Sequence, residues 1–220
     1  MLYVVATPIG NLGDITLRAI EILKSADVVA AEDTRRSGML LKHLGIKKPF
    51  ISYHEHNEAT RTPEVVERLE HGENVALITD AGMPGLSDPG LRLIRECIRR
   101  ELPFTIIPGS SSILTALLAS GFSTEKFSFR GFLPAKSGQR ERELRVAAER
   151  DETAIFFESP YRLIKTLAAC VDIMPNRQLC VARELTKKFE EFRRGAAIEL
   201  LEHYRAHPPK GEIVLLISGS

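Results

Sequence analysis

Short apolar runs punctuate this chain at eight places: residues 2–6, 28–31, 75–79, 104–107, 127–132, 154–157, 179–182 and 213–217. Each is four to six residues long and rich in Val, Ile and Phe, the length and chemistry of a buried strand. Longer amphipathic segments separate them. Strand–helix alternation of this kind predicts an α/β fold, with a mostly parallel sheet in the first half and helices packed on it. Three helices have readable bounds. One runs over 15–25 with Leu17, Ile20 and Leu23 inward. A second is capped by Asp88, with Pro89 at its first position and Leu91, Ile94 and Ile98 on one face. A third runs over about 111–120 and ends at Gly121. The polar stretch 121–126 reads as a junction, beyond which the rhythm changes and 136–150 forms a highly charged helix or loop. Two lobes are expected, 1–115 and 116–220.

With 220 residues, 44% of them hydrophobic, the chain can bury one large core or two smaller ones. Thirty Lys and Arg against 29 Asp and Glu exclude a polyelectrolyte or a uniformly basic nucleic-acid coat. The three cysteines, Cys97, Cys170 and Cys180, are too few and too scattered for a disulfide scaffold or a structural zinc site. The opening MLYVVATPIG lacks the basic n-region of a secretory signal, and no apolar run approaches the roughly 20 residues that span a bilayer. A cytoplasmic protein with no membrane partner is the expectation.

Chemistry points to the strand ends. In open parallel sheets, ligands gather at the carboxyl edge. There the sequence places Ala6-Thr7-Pro8-Ile9-Gly10-Asn11, the Gly- and Pro-rich segment 80–90, and Pro108-Gly109-Ser110-Ser111-Ser112. Such loops can simply make tight turns. Three on one edge also let a ligand approach the backbone closely. Neither GxGxxG after the first strand nor GxxxxGK[ST] anywhere is present, which rejects a Walker-type NTPase and disfavours a nicotinamide cofactor. A nucleoside-like ligand held by backbone groups remains. Asp80 can cap its own loop or face a positively charged ligand group. The serines at 110–112 open a helix, and one of them can serve as its cap while nearby N–H groups hold a carboxylate. The pair His54 and His56 invites a metal reading, but i, i+2 histidines share no helix face and no third ligand is placed, so no metal is expected.

Thr7-Pro8-Ile9-Gly10-Asn11-Leu12, Ala31-Glu32-Asp33-Thr34-Arg35, His56-Asn57-Glu58, Asp80-Ala81-Gly82, Ser87-Asp88-Pro89-Gly90, Gly131-Phe132-Leu133-Pro134, Ala182-Arg183-Glu184-Leu185-Thr186-Lys187 and Gly211-Glu212-Ile213-Val214 resemble the signatures of the ribosomal RNA small subunit methyltransferase I family. That family is a branch of the tetrapyrrole methylase superfamily, and the resemblance runs from residue 2 to about 217. It implies a two-lobed tetrapyrrole methylase-like fold, with a mostly parallel N-terminal sheet, a mixed C-terminal sheet and the cofactor, S-adenosylmethionine, in the cleft between the lobes. It implies methylation of a cytidine ribose 2′-hydroxyl in 16S rRNA near the decoding centre, by a homodimer. Carried over by position, the cofactor-binding residues are Pro8, Ile9, Asp80, Ala81, Gly82, Met83, Ser110, Ser111, Ser112, Phe157, Glu158 and Ala182. The family usually has threonine at Met83 and Pro-Ser-Ala at 110–112, and many members carry a short C-terminal extension.

Candidates for moving the acceptor's proton are Glu184, His56 and Asp33. Candidates for contacting RNA are Arg35, Asn57, Lys136, Arg183 and Lys187. Two segments are locally basic, 136–150 at +2 and 177–194 at +3, which permits phosphate contacts without requiring them. Two other functions stay open: methylation of a small tetrapyrrole, which needs no basic surface, and a non-catalytic ribosome-assembly factor that keeps the fold. Cofactor calorimetry separates the last from the enzymes, and small-subunit particles against uroporphyrinogen separate the two enzymes.

Overall fold

The computed structural model describes residues 1–219, and the chain divides into two compact units, Met1–Ser111 and Ser112–Ser220. Unit 1 contains β1 (Leu2–Val5), α1 (Leu17–Ser25), β2 (Val28–Ala31), α2 (Thr34–His43), β3 (Phe50–Ser52), α3 (Glu58–Glu70), β4 (Val75–Ile78), α4 (Leu91–Arg99) and β5 (Phe104–Ile107). Its five strands are all parallel, in the order β3-β2-β4-β1-β5. The central strands are buried on both faces, so successive residues enter different cores. Val4, Ala30 and Leu77 pack with Val65 and Val66 of α3 and Leu93 and Cys97 of α4. Val5, Val29 and Ile78 pack with Ala19 and Leu23 of α1 and Leu41 of α2. This explains why the runs read as continuously apolar instead of alternating.

Unit 2 contains α5 (Ser112–Ser120), β6 (Phe127–Phe132), α6 (Ser137–Ala148), β7 (Thr153–Glu158), α7 (Leu163–Ile173), β8 (Gln178–Arg183), β9 (Glu191–Ala196), α8 (Ala197–Ala206) and β10 (Ile213–Ile217). Its sheet is mixed, in the order β6-β7-β10-β8-β9. β6 and β7 run parallel, and every other neighbouring pair is antiparallel. α6, α7 and α8 supply Leu144, Leu167, Cys170, Leu200 and Tyr204 to one core with Phe156, Val181 and Leu215. α5 lies against β8, β9 and β10, so the residues from Ser112 on belong to unit 2. The parallel and mixed sheets are those the sequence led us to expect.

Two helix readings need correction. α1 begins at Leu17, not at 15, because the Thr16 side chain accepts from the Ala19 amide and caps it. Leu17 is 80% exposed, while Ala19 and Leu23 are buried. α4 begins after Gly90 and is not capped by Asp88. The Gly85 amide donates to the Pro89 carbonyl, which closes the loop before the helix starts. Gly90 sits at φ +134°, where a Cβ would lie 2.9 Å from Leu77 Cδ2. Leu93 and Cys97 therefore point inward, and Leu91 and Ile98 face solvent. Two strands, the short β3 and the charged β9, escaped the apolar-run reading altogether. Among the described residues, no helix is long and apolar enough to cross a membrane.

Candidate active site

β2 and β4 are neighbours, yet β2 passes the chain on to the edge strand β3 while β4 passes it on to β5 at the opposite edge. Connections leaving in opposite directions open a crevice at the carboxyl ends, where parallel sheets bind ligands. Four loops meet along this edge. The Thr7 amide donates to the Gly82 carbonyl at 2.9 Å and the Gly82 amide to the Thr7 carbonyl at 3.1 Å. The Thr7 hydroxyl donates to the Thr79 carbonyl. This ties the loop after β1 to the loop after β4. Gly82 holds φ +79°, which glycine adopts without strain. The loop after β5 closes in through Gly109, where a Cβ would stand 2.9 Å from the Ala6 Cβ. Pro8 and Ile9 are buried, and Ala81, Met83, Ser110, Ser111 and Ser112 are half-buried. The Ser110 hydroxyl donates to the Asp14 carbonyl.

The loops after β2 and β4 are joined by carboxylates. Asp80 Oδ1 accepts from the Asp33 amide at 3.2 Å and Oδ2 lies 3.1 Å from Arg36 Nη1. Glu32 Oε2 in turn accepts from the Asp80 amide at 3.3 Å. The Asp80 carboxylate therefore bridges to the loop after β2, whereas the sequence alone suggests that it caps its own loop or faces a ligand. Glu32 and Arg36 belong to this cluster and were missed in the sequence, although Glu32 lies inside the quoted AEDTR signature. Burial pushes the Glu32 carboxyl above the ordinary carboxylate range, and the Asp80 charge adds to that rise against the Asp80 amide, Arg36 and His54. Asp33 behaves oppositely: it caps α2 and takes two hydrogen bonds from the Arg35 guanidinium, which hold its carboxyl at about 2.

Asn57 is a brace. Its Oδ1 accepts from the His54 amide, and its Nδ2 donates to the Ser52 carbonyl and meets His54 Nε2 at 3.0 Å. His56 is exposed, its ring edge-on to that of His54.

In unit 2, β10 lies between β7 and β8, with Val214 opposite both Phe157 and Ala182. Those two expected cofactor residues thus lie in one cross-strand row. Glu158 turns its carboxylate inward, where it accepts from Thr166 Oγ1 at 2.6 Å and the Ser159 amide at 2.7 Å and pairs with Arg162 at 3.0 Å. Glu184 sits at φ +51°. Its Oε1 accepts from the Glu212 amide and from Lys187 Nζ, both at 2.9 Å. Gly211 is required beside it, because a methyl group there would overlap the carboxylate. Burial raises the Glu184 carboxyl, but the Glu212 amide and the Lys187 ammonium outweigh it and bring it below the ordinary value. Arg183 donates to Glu191 and to the Lys210 carbonyl. Lys136 is exposed just ahead of α6.

Could the unit 1 loops take a nucleoside-like methyl donor? Two features fit: the Thr79 hydroxyl is buried with no hydrogen-bond partner among the described residues, and the backbone approaches closely at Gly82 and Gly109.

The fold has counterparts among methylases. A uroporphyrin-III-C-methyltransferase structure from Thermus thermophilus superposes with a TM-score of 0.69 at 19% identity, over 98% of this chain and 93% of that one. The methyltransferase CobJ gives 0.74 at 17% identity, over 100% and 94%. The family described as Tetrapyrrole (Corrin/Porphyrin) Methylases matches residues 1–201. The family match thus makes this an S-adenosylmethionine-dependent methyltransferase. More particular relatives carry the description ribosomal RNA small subunit methyltransferase I. The Synechocystis protein is 45% identical over 100% of this chain and 79% of its own length. The Mesorhizobium japonicum protein is 50% identical over 98% and 74%, and the Thermotoga maritima protein 44% over 99% and 98%. The chain belongs to the ribosomal RNA small subunit methyltransferase I family, within the tetrapyrrole methylases.

Proposed function

We propose that the protein transfers a methyl group from S-adenosylmethionine to the ribose 2′-oxygen of a cytidine in 16S rRNA, near the decoding centre. The observation that carries this reading is similarity of 43–50% over nearly the whole chain to small-subunit rRNA methyltransferases. That identity supports an RNA acceptor over a tetrapyrrole one. The methyl donor, when bound, supplies an electrophilic methyl on a sulfonium. The backbone at Pro8, Ile9, Ala81, Gly82, Met83 and Ser110–Ser111 would hold it.

The protein's own task is alignment and proton removal. Ordering acceptor and donor in line supplies most of the rate, since effective molarities of well-oriented reactions reach about 10⁵–10⁸ M. Of the carboxylates considered, Asp33 and Glu184 are firm anions saturated by Arg35 and by Lys187 with the Glu212 amide, so they position loops. Burial raises the Glu32 affinity for a proton, as suits an acceptor, and His56 is exposed beside the same loop. Arg35, Lys136, Arg183 and Lys187 would meet phosphates, with Asn57 shaping the loop beneath. The protein would work in the cytoplasm, where it meets nascent small subunits, and as a two-fold homodimer.

Incubation of unmodified small subunits with labelled cofactor tests the reading. Label at one cytidine ribose is expected. Label on uroporphyrinogen and none on RNA favours the tetrapyrrole alternative, and cofactor binding without transfer to either favours the assembly factor.

A further inference from the structure

Between Asp33 and Glu55 the chain carries no acidic residue but five cations: Arg35, Arg36, Lys42, Lys47 and Lys48. In a protein of net charge +1, this is a strong local imbalance. Arg35 and Arg36 are paired with Asp33 and Asp80. Lys42, Lys47 and Lys48 have no ion pair among the described residues. Lys42 lies in the last turn of α2, where a cation complements the helix dipole. Lys47 and Lys48 lie beyond the helix, so the dipole does not account for them.

These lysines rim a groove of about 380 Å³ under the carboxyl end of α2. Leu41, Ile46 and Phe50 line its apolar part, and Gly38 and Gly45 keep it open. Neither glycine has any atom within 4 Å of where a Cβ would lie. From the candidate active site, α2 leads straight to this groove. Arg35, Met39 and Lys42 recur at i, i+4 and i+7, all exposed, with Met39 at 66%. From Arg35 to Lys42, eight residues, that stripe is about 11 Å long.

We propose that this stripe and groove bind single-stranded rRNA adjoining the acceptor nucleotide, with phosphates on Lys42, Lys47 and Lys48 and a base against Phe50. The inference rests on the rRNA methyltransferase reading and adds a subsite to it. A carboxylate-free cationic rim over an apolar floor matches the two faces of an unpaired nucleotide: lysines neutralise phosphate, and an aromatic ring stacks with a base. A second copy of this chain is a poorer occupant, because two-fold contact through this face would set lysine against lysine.

The test compares the triple variant Lys42→Gln, Lys47→Gln, Lys48→Gln with a control losing equal charge at Arg18, Lys24 and Lys165. Binding of a 16S rRNA fragment is measured against salt, beside cofactor calorimetry, methyl transfer at saturating RNA and light scattering. The groove variant should lose about tenfold or more in RNA affinity, and its log–log salt slope should become shallower by about 2. Cofactor affinity, saturated turnover and mass should stay unchanged, and the control should bind RNA like the parent. Equal loss in both variants would reduce the effect to net charge and overturn the subsite. So would parent-like binding by the groove variant, or loss of a dimer with RNA affinity intact. A parent protein that binds the fragment but never methylates it would reject the activity, while the variant comparison would still decide the groove.

Discussion

At Gly109 one hydrogen atom stands where any other residue would place a carbon 2.9 Å from Ala6 Cβ. Gly109→Ala should therefore push the loop after β5 away from β1. Cofactor affinity should fall about tenfold or more, with a stability loss of about 1–3 kcal/mol, read by calorimetry and denaturant unfolding. Glu32→Gln keeps the shape and removes the proton acceptor. Turnover should drop with cofactor affinity nearly unchanged, as for an interaction made only in the transition state. In the parent, the rate should fall as pH drops through the raised Glu32 value, and the variant should lose that limb. A parent-like profile in Glu32→Gln would remove Glu32 as acceptor and return attention to His56. Asp33 gives the opposite sign. Its folded carboxyl at about 2 is depressed, so the stability it contributes is present above its ordinary value of 3.8 and is lost as pH falls toward 2. Asp33→Asn, which can still cap α2, should lower Tm slightly at neutral pH, with the difference shrinking as pH falls toward 2 and vanishing below it.

The elements buried in unit 1 were legible because a parallel sheet covered on both faces forces continuous apolar runs. β3 and β9 were not. β3 is three residues at an edge, and β9 reads Glu-Phe-Arg-Arg-Gly-Ala, its charges paired with neighbours. Leu91 and Ile98 suggested the wrong face of α4, because periodicity alone does not reveal that Gly90 delays the helix. The loops after β1, β4 and β5 were recognised by glycine and proline. Their links to β2 through Glu32, Asp80 and Arg36 were not, since only the strand order brings residues 32 and 80 together. At this scale the interior of unit 2 makes a prediction. Glu158 has a side chain with 0% exposure and binds Thr166, the Ser159 amide and Arg162. Glu158→Ala leaves the buried Thr166 hydroxyl without its acceptor, while Arg162 keeps the Leu133 carbonyl, and should cost about 1–3 kcal/mol, measured by urea unfolding. Burial also pushes the Cys170 thiol up to about 12 and those of Cys97 and Cys180 up to about 11. Thiol reagents should label none of the three until the protein unfolds. Rapid labelling of the native protein would contradict the packing described for both cores.

For the molecule as a whole, similarity along the full chain and two sheets of methylase type leave the acceptor as the question on which the account turns. A homodimer predicts a species of twice 24.5 kDa by light scattering at micromolar concentration, and a monomer alone would contradict that part. The most direct measurement is alkaline hydrolysis of small-subunit rRNA after incubation with the protein and labelled cofactor. Hydrolysis needs a free 2′-hydroxyl to attack the adjacent phosphate. One labelled cytidine whose linkage resists alkali is the expected result. A labelled nucleotide that still cleaves would place the methyl on a base, and unlabelled RNA would place the activity on another substrate.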